Sequence, residues 1–160
     1  MIFATIGTQL PFDRLIQPLD KWAKENSKVE LFAQIGAGKF VPQHLNWTRD
    51  LDPRAFKSQM ERCDIVVAHA GMGSIITALE LGKKVIIMPR QAQYGEHRND
   101  HQLATAARLE HLNGLTVVQD ANELSAELSR PVLEHDHISV SGPKPELIRA
   151  IRNFAGLEAA

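Results

Sequence analysis

His69-Ala-Gly-Met-Gly-Ser74 lies between two apolar segments, Asp64-Ile-Val-Val-Ala68 before it and Ile75-Ile-Thr-Ala-Leu-Glu-Leu81 after it. The first is short, continuous and rich in β-branched residues, which suits a buried strand; the second, closed by Gly82, suits a helix. A glycine-bearing turn from strand to helix is the repeating corner of an α/β sheet. The start of a helix carries unpaired N–H groups and the positive end of the helix dipole. Gly71 and Gly73 let an anion approach that backbone, Ser74 adds a hydroxyl, and a phosphate suits the place. The same spacing is met by a tight turn in which Ser74 is a plain N-cap.

The alternation continues on both sides of this corner. Strands are expected at Ile2–Ile6, Val29–Ile35, Leu45–Thr48, Asp64–Ala68, Lys84–Met88 and Leu115–Val118. Helices are expected at Pro11–Glu25, Pro53–Arg62, Gly73–Leu81, Glu96–His111, Ala121–Leu128 and Pro145–Phe154. Pro11–Glu25 places Phe12, Leu15, Ile16, Leu19, Trp22 and Ala23 on one face, with Pro18 expected to kink or interrupt it. Asp52 followed by Pro53 marks a capped helix start. Short apolar strands alternating with helices predict an α/β fold: a mainly parallel sheet with helices on both faces, Rossmann-like. Residues 1–160 form a single domain in this reading, and His135–Pro145 connects to the last helix.

With 160 residues and 44% apolar content the chain can bury one core and is not of the disordered class. A net charge of -1 gives no electrostatic footprint for nucleic acid. No apolar run is long enough to span a bilayer, and the start Met1-Ile-Phe-Ala-Thr-Ile-Gly7 reads as a strand rather than a signal peptide. The one cysteine, Cys63, reads as a buried thiol. A cytoplasmic location fits these features.

Ligands of parallel sheets bind at the carboxyl ends of the strands. That rule brings together the loops at Gly7–Leu10, His69–Ser74 and Pro89–Asn99. In the first, Gly7 permits an unusual backbone angle and Thr8 can donate to a phosphate or cap the following helix. In the second, His69 can bond a diphosphate, orient the loop or simply pack. In the third, Asn99, Asp100 and Gln102 offer donors and acceptors for sugar hydroxyls, and Arg90 and Arg98 offer positive charge. A solvated helix face accounts for the same residues.

Other matches are incomplete. Gly36-Ala-Gly-Lys39 lacks the first glycine of a phosphate loop, since Ala33 stands there, and Phe40 replaces its Ser or Thr. Asp52 is better explained as a helix cap than as half of a metal-binding pair with Asp50. His97 and His101 are four apart, but neither the glutamate of the zinc-protease motif nor a third ligand accompanies them.

Taken together, Ile2-Phe-Ala-Thr-Ile-Gly-Thr8 with Pro11-Phe-Asp-Arg-Leu-Ile16, His69-Ala-Gly-Met-Gly-Ser74 and Gly95-Glu-His-Arg-Asn-Asp-His-Gln102 resemble the C-terminal, donor-binding half of family 28 glycosyltransferases of GT-B architecture. The chain is most similar to the small catalytic subunits that work with a separate membrane-bound partner, including bacterial exopolysaccharide subunits and the subunit that extends dolichol-linked N-acetylglucosamine. The resemblance implies that Gly7 and Thr8, with His69, Gly71, Met72, Gly73 and Ser74, bind the diphosphate of a donor such as a UDP-sugar. It implies that Asn99, Asp100 and Gln102, flanked by Arg90 and Glu96, bind the donor sugar. Family members carry a glutamate for the ribose three residues after the Ser74 position; here Thr77 stands there, with Glu80 one turn on.

The resemblance further implies a metal-independent transfer, with no cofactor, to a lipid-linked saccharide in polysaccharide biosynthesis. A membrane-associated subunit would bind the acceptor, supply the catalytic base and recruit the chain to the inner face of the membrane. The helix at 145–155, with Leu147, Ile148, Ile151 and Phe154 on one face, is a candidate for docking there, or packs on its own domain. Two rivals are a non-catalytic module that senses a nucleotide sugar and an epimerase of related architecture; the first does not need the Asn99–Gln102 segment, and the second is a two-domain chain.

Overall fold

The computed structural model describes residues 1–130, together with Arg149 and Asn153, which are helical and exposed. The connector at His135–Pro145 and most of the 145–155 helix lie outside the described residues. Six strands alternate with helices: β1 Ile2–Thr5, α1 Asp13–Glu25, β2 Leu31–Gln34, β3 Asn46–Thr48, α2 Pro53–Arg62, β4 Ile65–His69, α3 Met72–Glu80, β5 Lys84–Met88, α4 His101–Leu109, β6 Leu115–Val117 and α5 Ala121–Leu128. A 3-10 turn at Ala92–Tyr94 precedes α4.

The strands form one sheet in the order β3-β2-β1-β4-β5-β6, and every pairing is parallel. In register, Ile2 is opposite Leu31 on one side and Ile65 on the other. The order runs outward from β1 to β3 and then returns to β4 on the far side of β1. The direction of winding therefore reverses between β1 and β4, and this is the place where a doubly wound sheet opens a crevice at its carboxyl edge.

Alternate strand residues face opposite layers, as the two-residue period demands. Ile2, Ala4, Leu31, Ala33, Val67 and Ile86 meet Leu15, Ile16, Leu19 and Trp22 of α1 and Leu124 of α5. Phe3, Val66, Ala68, Val85 and Ile87 meet Met60 of α2, Ile75 and Leu79 of α3, and Ala106 and Leu109 of α4. Cys63 is buried in the second layer, where burial pushes its thiol up to about 11. Lys84 and Glu127 are both buried and paired at 2.8 Å, tying α5 to the start of β5. Burial alone would raise the Glu127 carboxyl, but its bonds from Lys84 and Arg130 bring it below the ordinary value.

The caps follow the sequence in part. Asp52 accepts the Ala55 amide at 2.8 Å as N-cap of α2. Gly82, at φ 67, ends α3 in the left-handed conformation. Pro18 does not interrupt α1, which runs unbroken over Asp13–Glu25 with its apolar face buried. That burial outweighs the one backbone bond the proline removes. Val29 falls outside β2 because its amide closes the turn after α1 on the Asn26 carbonyl.

The largest departure is at α4, which begins at His101 and not at Glu96. Gly95 sits at φ 67, and the carboxylates of Glu96 and Asp100 turn back to accept the amides of Gln91 and Ala92 at 2.9 and 2.7 Å. Those side chains cap a loop instead of lining a helix.

Candidate functional site

A cavity of about 390 Å³ opens at the carboxyl edge, between the ends of β1, β4 and β5. It is large enough for part of a nucleotide ligand. Its lining includes Gly7, Thr8, His69, Gly71, Gly73, Ser74, Arg90 and Gln102. Ile6, Gln9, Leu10 and His97 line it as well. Gln9, Leu10 and His97 fall in the loops that the strand-end rule brings together, without a role of their own in the sequence; Ile6, read as the last residue of the first strand, carried no signal as a lining residue.

The β4–α3 corner gives the cavity its floor. Gly71 is the N-cap of α3, so no side chain caps this helix. The Gly71 amide is taken by the His69 carbonyl at 2.8 Å. Among the described residues, the amides of Met72, Gly73 and Ser74 have no acceptor, and neither does the Ser74 hydroxyl. Ser74 is thus inside the first turn and is not the cap. Three free amides at the positive end of a nine-residue helix present the donors and the dipole that attract an anion.

The two glycines of this corner do different jobs. A Cβ on Gly71 would overlap the His69 imidazole, whereas a Cβ on Gly73 would meet nothing within 4 Å. Gly7, at φ 72, borders the same ring, and a Cβ there would lie 2.9 Å from its Cε1. His69 is therefore held between Gly7 and Gly71. Burial, with the nearby charges of Arg90 and His97, lowers its pKa to about 4, so the ring is neutral at pH 7. Its Nδ1 is buried with no hydrogen-bond partner among the described residues. A neutral imidazole beside free amides can donate to a phosphate oxygen without itself being charged.

Thr8 is exposed at the rim and caps nothing; the N-cap of α1 is Phe12. Thr77 points its hydroxyl back to the Gly73 carbonyl at 2.9 Å. It shares a helix face with Gly73, and Glu80 follows on that face, engaged in an interaction of its own. Met72, Thr77 and Glu80 do not line the cavity.

The sugar-segment candidates separate. Gln102 is buried at the cavity wall, its Oε1 accepting the Arg90 amide at 3.1 Å. Arg90 lines the cavity, but its guanidinium is bonded to backbone carbonyls. The Glu96 carboxylate is paired with Arg14. Asn99 and Asp100 are exposed beside the cavity and outside its lining. His97 and His101 lie with ring centroids 4.3 Å apart, and among the described residues no group of three or more His, Cys, Asp or Glu could hold a metal ion.

Residues 1–141 match the glycosyltransferase family 28 C-terminal domain. The chain belongs to this family. Over 119 residues it is 31% identical to the human "UDP-N-acetylglucosamine transferase subunit ALG13", covering 68% of this chain and 10% of that protein. The Yarrowia lipolytica protein of the same name is 21% identical over 162 residues, covering 91% of this chain and 78% of the relative. A Prochlorococcus marinus UDP-N-acetylglucosamine–N-acetylmuramyl-(pentapeptide) pyrophosphoryl-undecaprenol N-acetylglucosamine transferase is 27% identical, covering 62% of this chain and 27% of that one. The chain thus spans about a tenth of the human relative's length.

Among solved structures, the NMR structure of ALG13 superposes with a TM-score of 0.65 at 20% identity, covering 94% of each chain. The glycotransferase of kitacinnamycin gives 0.62 at 18% identity, covering 96% of this chain and 40% of that one. These likenesses show the fold, which is that of a glycosyltransferase domain of GT-B architecture. Among the described residues, no helix is long and apolar enough to cross a membrane.

Proposed function

We propose that this chain binds the diphosphate of a nucleotide-sugar donor, UDP-linked, at the start of α3 and supports transfer of the sugar to a lipid-linked saccharide acceptor in polysaccharide biosynthesis. The single observation that carries the reading is the set of unpaired amides of Met72, Gly73 and Ser74 at the start of α3, where Gly73 and Ser74 line the same cavity as a neutral His69. As the bond to the sugar breaks, negative charge develops on the departing diphosphate. Fixed amides and a helix dipole stabilise such charge in place, with no reorganisation during the reaction. We assign the sugar of the donor to the side of Gln102, which lines the cavity, with Asn99 and Asp100 close to it in the chain.

Acceptor binding and the catalytic base are assigned to a separate, membrane-associated subunit, which would recruit the chain to the inner face of the membrane. Support comes from the family and from the word "subunit" in the names of the ALG13 relatives. The experiment is a calorimetric titration of the chain with UDP, followed by a transfer assay with radiolabelled UDP-sugars on membranes that contain the partner. UDP should bind, and transfer should appear only with the membranes and survive a chelator. No heat at millimolar UDP, or transfer to a lipid acceptor by the purified chain alone, overturns the reading.

A further inference from the structure

Arg90 lines the cavity and Arg14 shares the Phe12 ring with it, and both are tied into the protein's own backbone. Arg90 is 3% exposed. Its Nη2 donates to the carbonyls of Ile6 and Leu10, each at 2.7 Å, and its Nη1 to the carbonyl of Pro11 at 2.8 Å. Arg14 grips the Glu96 carboxylate at 2.7 and 2.8 Å and also donates to the carbonyls of Pro89 and Gln119. Both guanidinium groups contact the Phe12 ring, with Arg90 4.9 Å and Arg14 5.3 Å from its centroid.

The consequence falls on the loop after β1. Among the described residues, the backbone of residues 8–11 has no hydrogen-bond partner other than Arg90. Thr8, Gln9 and Leu10 are exposed, yet they form one wall of the cavity. A wall with no bonds of its own must be held from behind.

We propose that Arg90, assisted by Arg14, is the positioning residue of the donor cavity: it fixes the Thr8–Leu10 wall through three backbone carbonyls and does not touch the donor. This rests on the donor-site reading above. A guanidinium is a planar fork of five donors and can span carbonyls that a lysine ammonium, a point charge, cannot. A wall already in place spares the ligand the loss of loop freedom on binding.

The test compares Arg90→Lys and Arg90→Met with the wild type by UDP titration and by NMR order parameters at Thr8, Gln9 and Leu10. In the wild type these residues should be rigid, with order parameters of about 0.85, and in both variants they should fall below about 0.6. UDP binding should weaken about tenfold in both, with the far-UV spectrum unchanged. Failure of lysine to rescue separates the fork from mere positive charge. An Arg90→Lys protein with wild-type affinity and an ordered wall overturns the proposal. Where the Arg90 variants fail to fold, Arg14→Gln, at a partly exposed site, should loosen residues 91–96 and weaken UDP; no change in either overturns it. If the wild type itself ignores UDP, the donor-site reading fails, while the order parameters still decide the brace.

Discussion

The imidazole of His69 fills the space that a side chain on Gly71 would need. The glycine is therefore required by the protein's own histidine before any ligand arrives. Gly71 has φ -90, which an alanine adopts without strain. Gly71→Ala should cost about 1–3 kcal/mol through overpacking alone. Removing the ring should relieve that cost. In urea denaturation of the wild type, both single variants and His69→Ala/Gly71→Ala, the two substitutions should couple by about 1 kcal/mol or more. Strict additivity would show that the ring and the glycine are independent.

Gly73 is the opposite case. It is exposed and a Cβ there meets nothing, yet it lines the cavity directly above the free amides. Gly73→Val should leave the melting temperature at or above that of wild type, since glycine is the poorer residue in a helix by roughly half a kcal/mol. UDP affinity should fall at least about tenfold, because the branched side chain occupies the phosphate's approach. A folded Gly73→Val protein that still binds UDP as tightly as wild type would move the anion site elsewhere.

These two glycines show what the sequence could and could not convey. Their place after a β-branched run made the strand, the turn and the helix legible, since burial on both sheet faces leaves a continuous apolar signature in Ile65-Val66-Val67-Ala68. Their separate tasks depend on where the His69 ring turns, which no spacing encodes. Arg90 is legible in the sequence only as a charge, which the family resemblance sets beside the donor sugar. Its bond to Ile6 joins residues 84 apart in the chain, so only the folded state reveals it. The run Glu96–Asp100 looks in sequence like the start of a helix because polar residues that cap a loop and polar residues on a solvated helix face are alike. His97 enters the cavity lining for the same reason: the turn at Gly95 redirects the chain.

Stability should depend on pH through His69. Its pKa falls from the ordinary 6.5 to about 4 on folding, so the unfolded chain takes up a proton that the folded protein refuses. The contribution is fully present above pH 6.5 and is lost as pH drops toward the folded value. From about pH 6.5 to 4.5 the loss should be roughly 2–3 kcal/mol. Asp20 and Glu127, whose carboxyls are held below their ordinary values, act lower still, as pH falls below those values. Urea midpoints of wild type and His69→Gln across this range test the assignment. Equal slopes would remove His69 as the cause.

Asp20 offers a way to separate stability from binding. It is 5% exposed on α1 and accepts the amides of Gln43 and His44 at 2.9 and 2.7 Å and the His44 ring nitrogen at 3.1 Å. With Asp13, which accepts the Lys39 and Phe40 amides at 3.1 and 3.3 Å, it clamps the loop between β2 and β3 onto the helix. Asp20→Ala leaves two backbone amides without their acceptor and should cost about 1–3 kcal/mol. No residue of that loop lines the cavity. UDP affinity, measured well below the variant's melting temperature, should therefore match wild type. A severalfold loss would mean that the loop reaches the donor site through α1, whose first turn carries Arg14. The brace at Glu96 and the clamp at Gln43 would then be parts of one mechanical unit, and the cavity wall would owe its order to both.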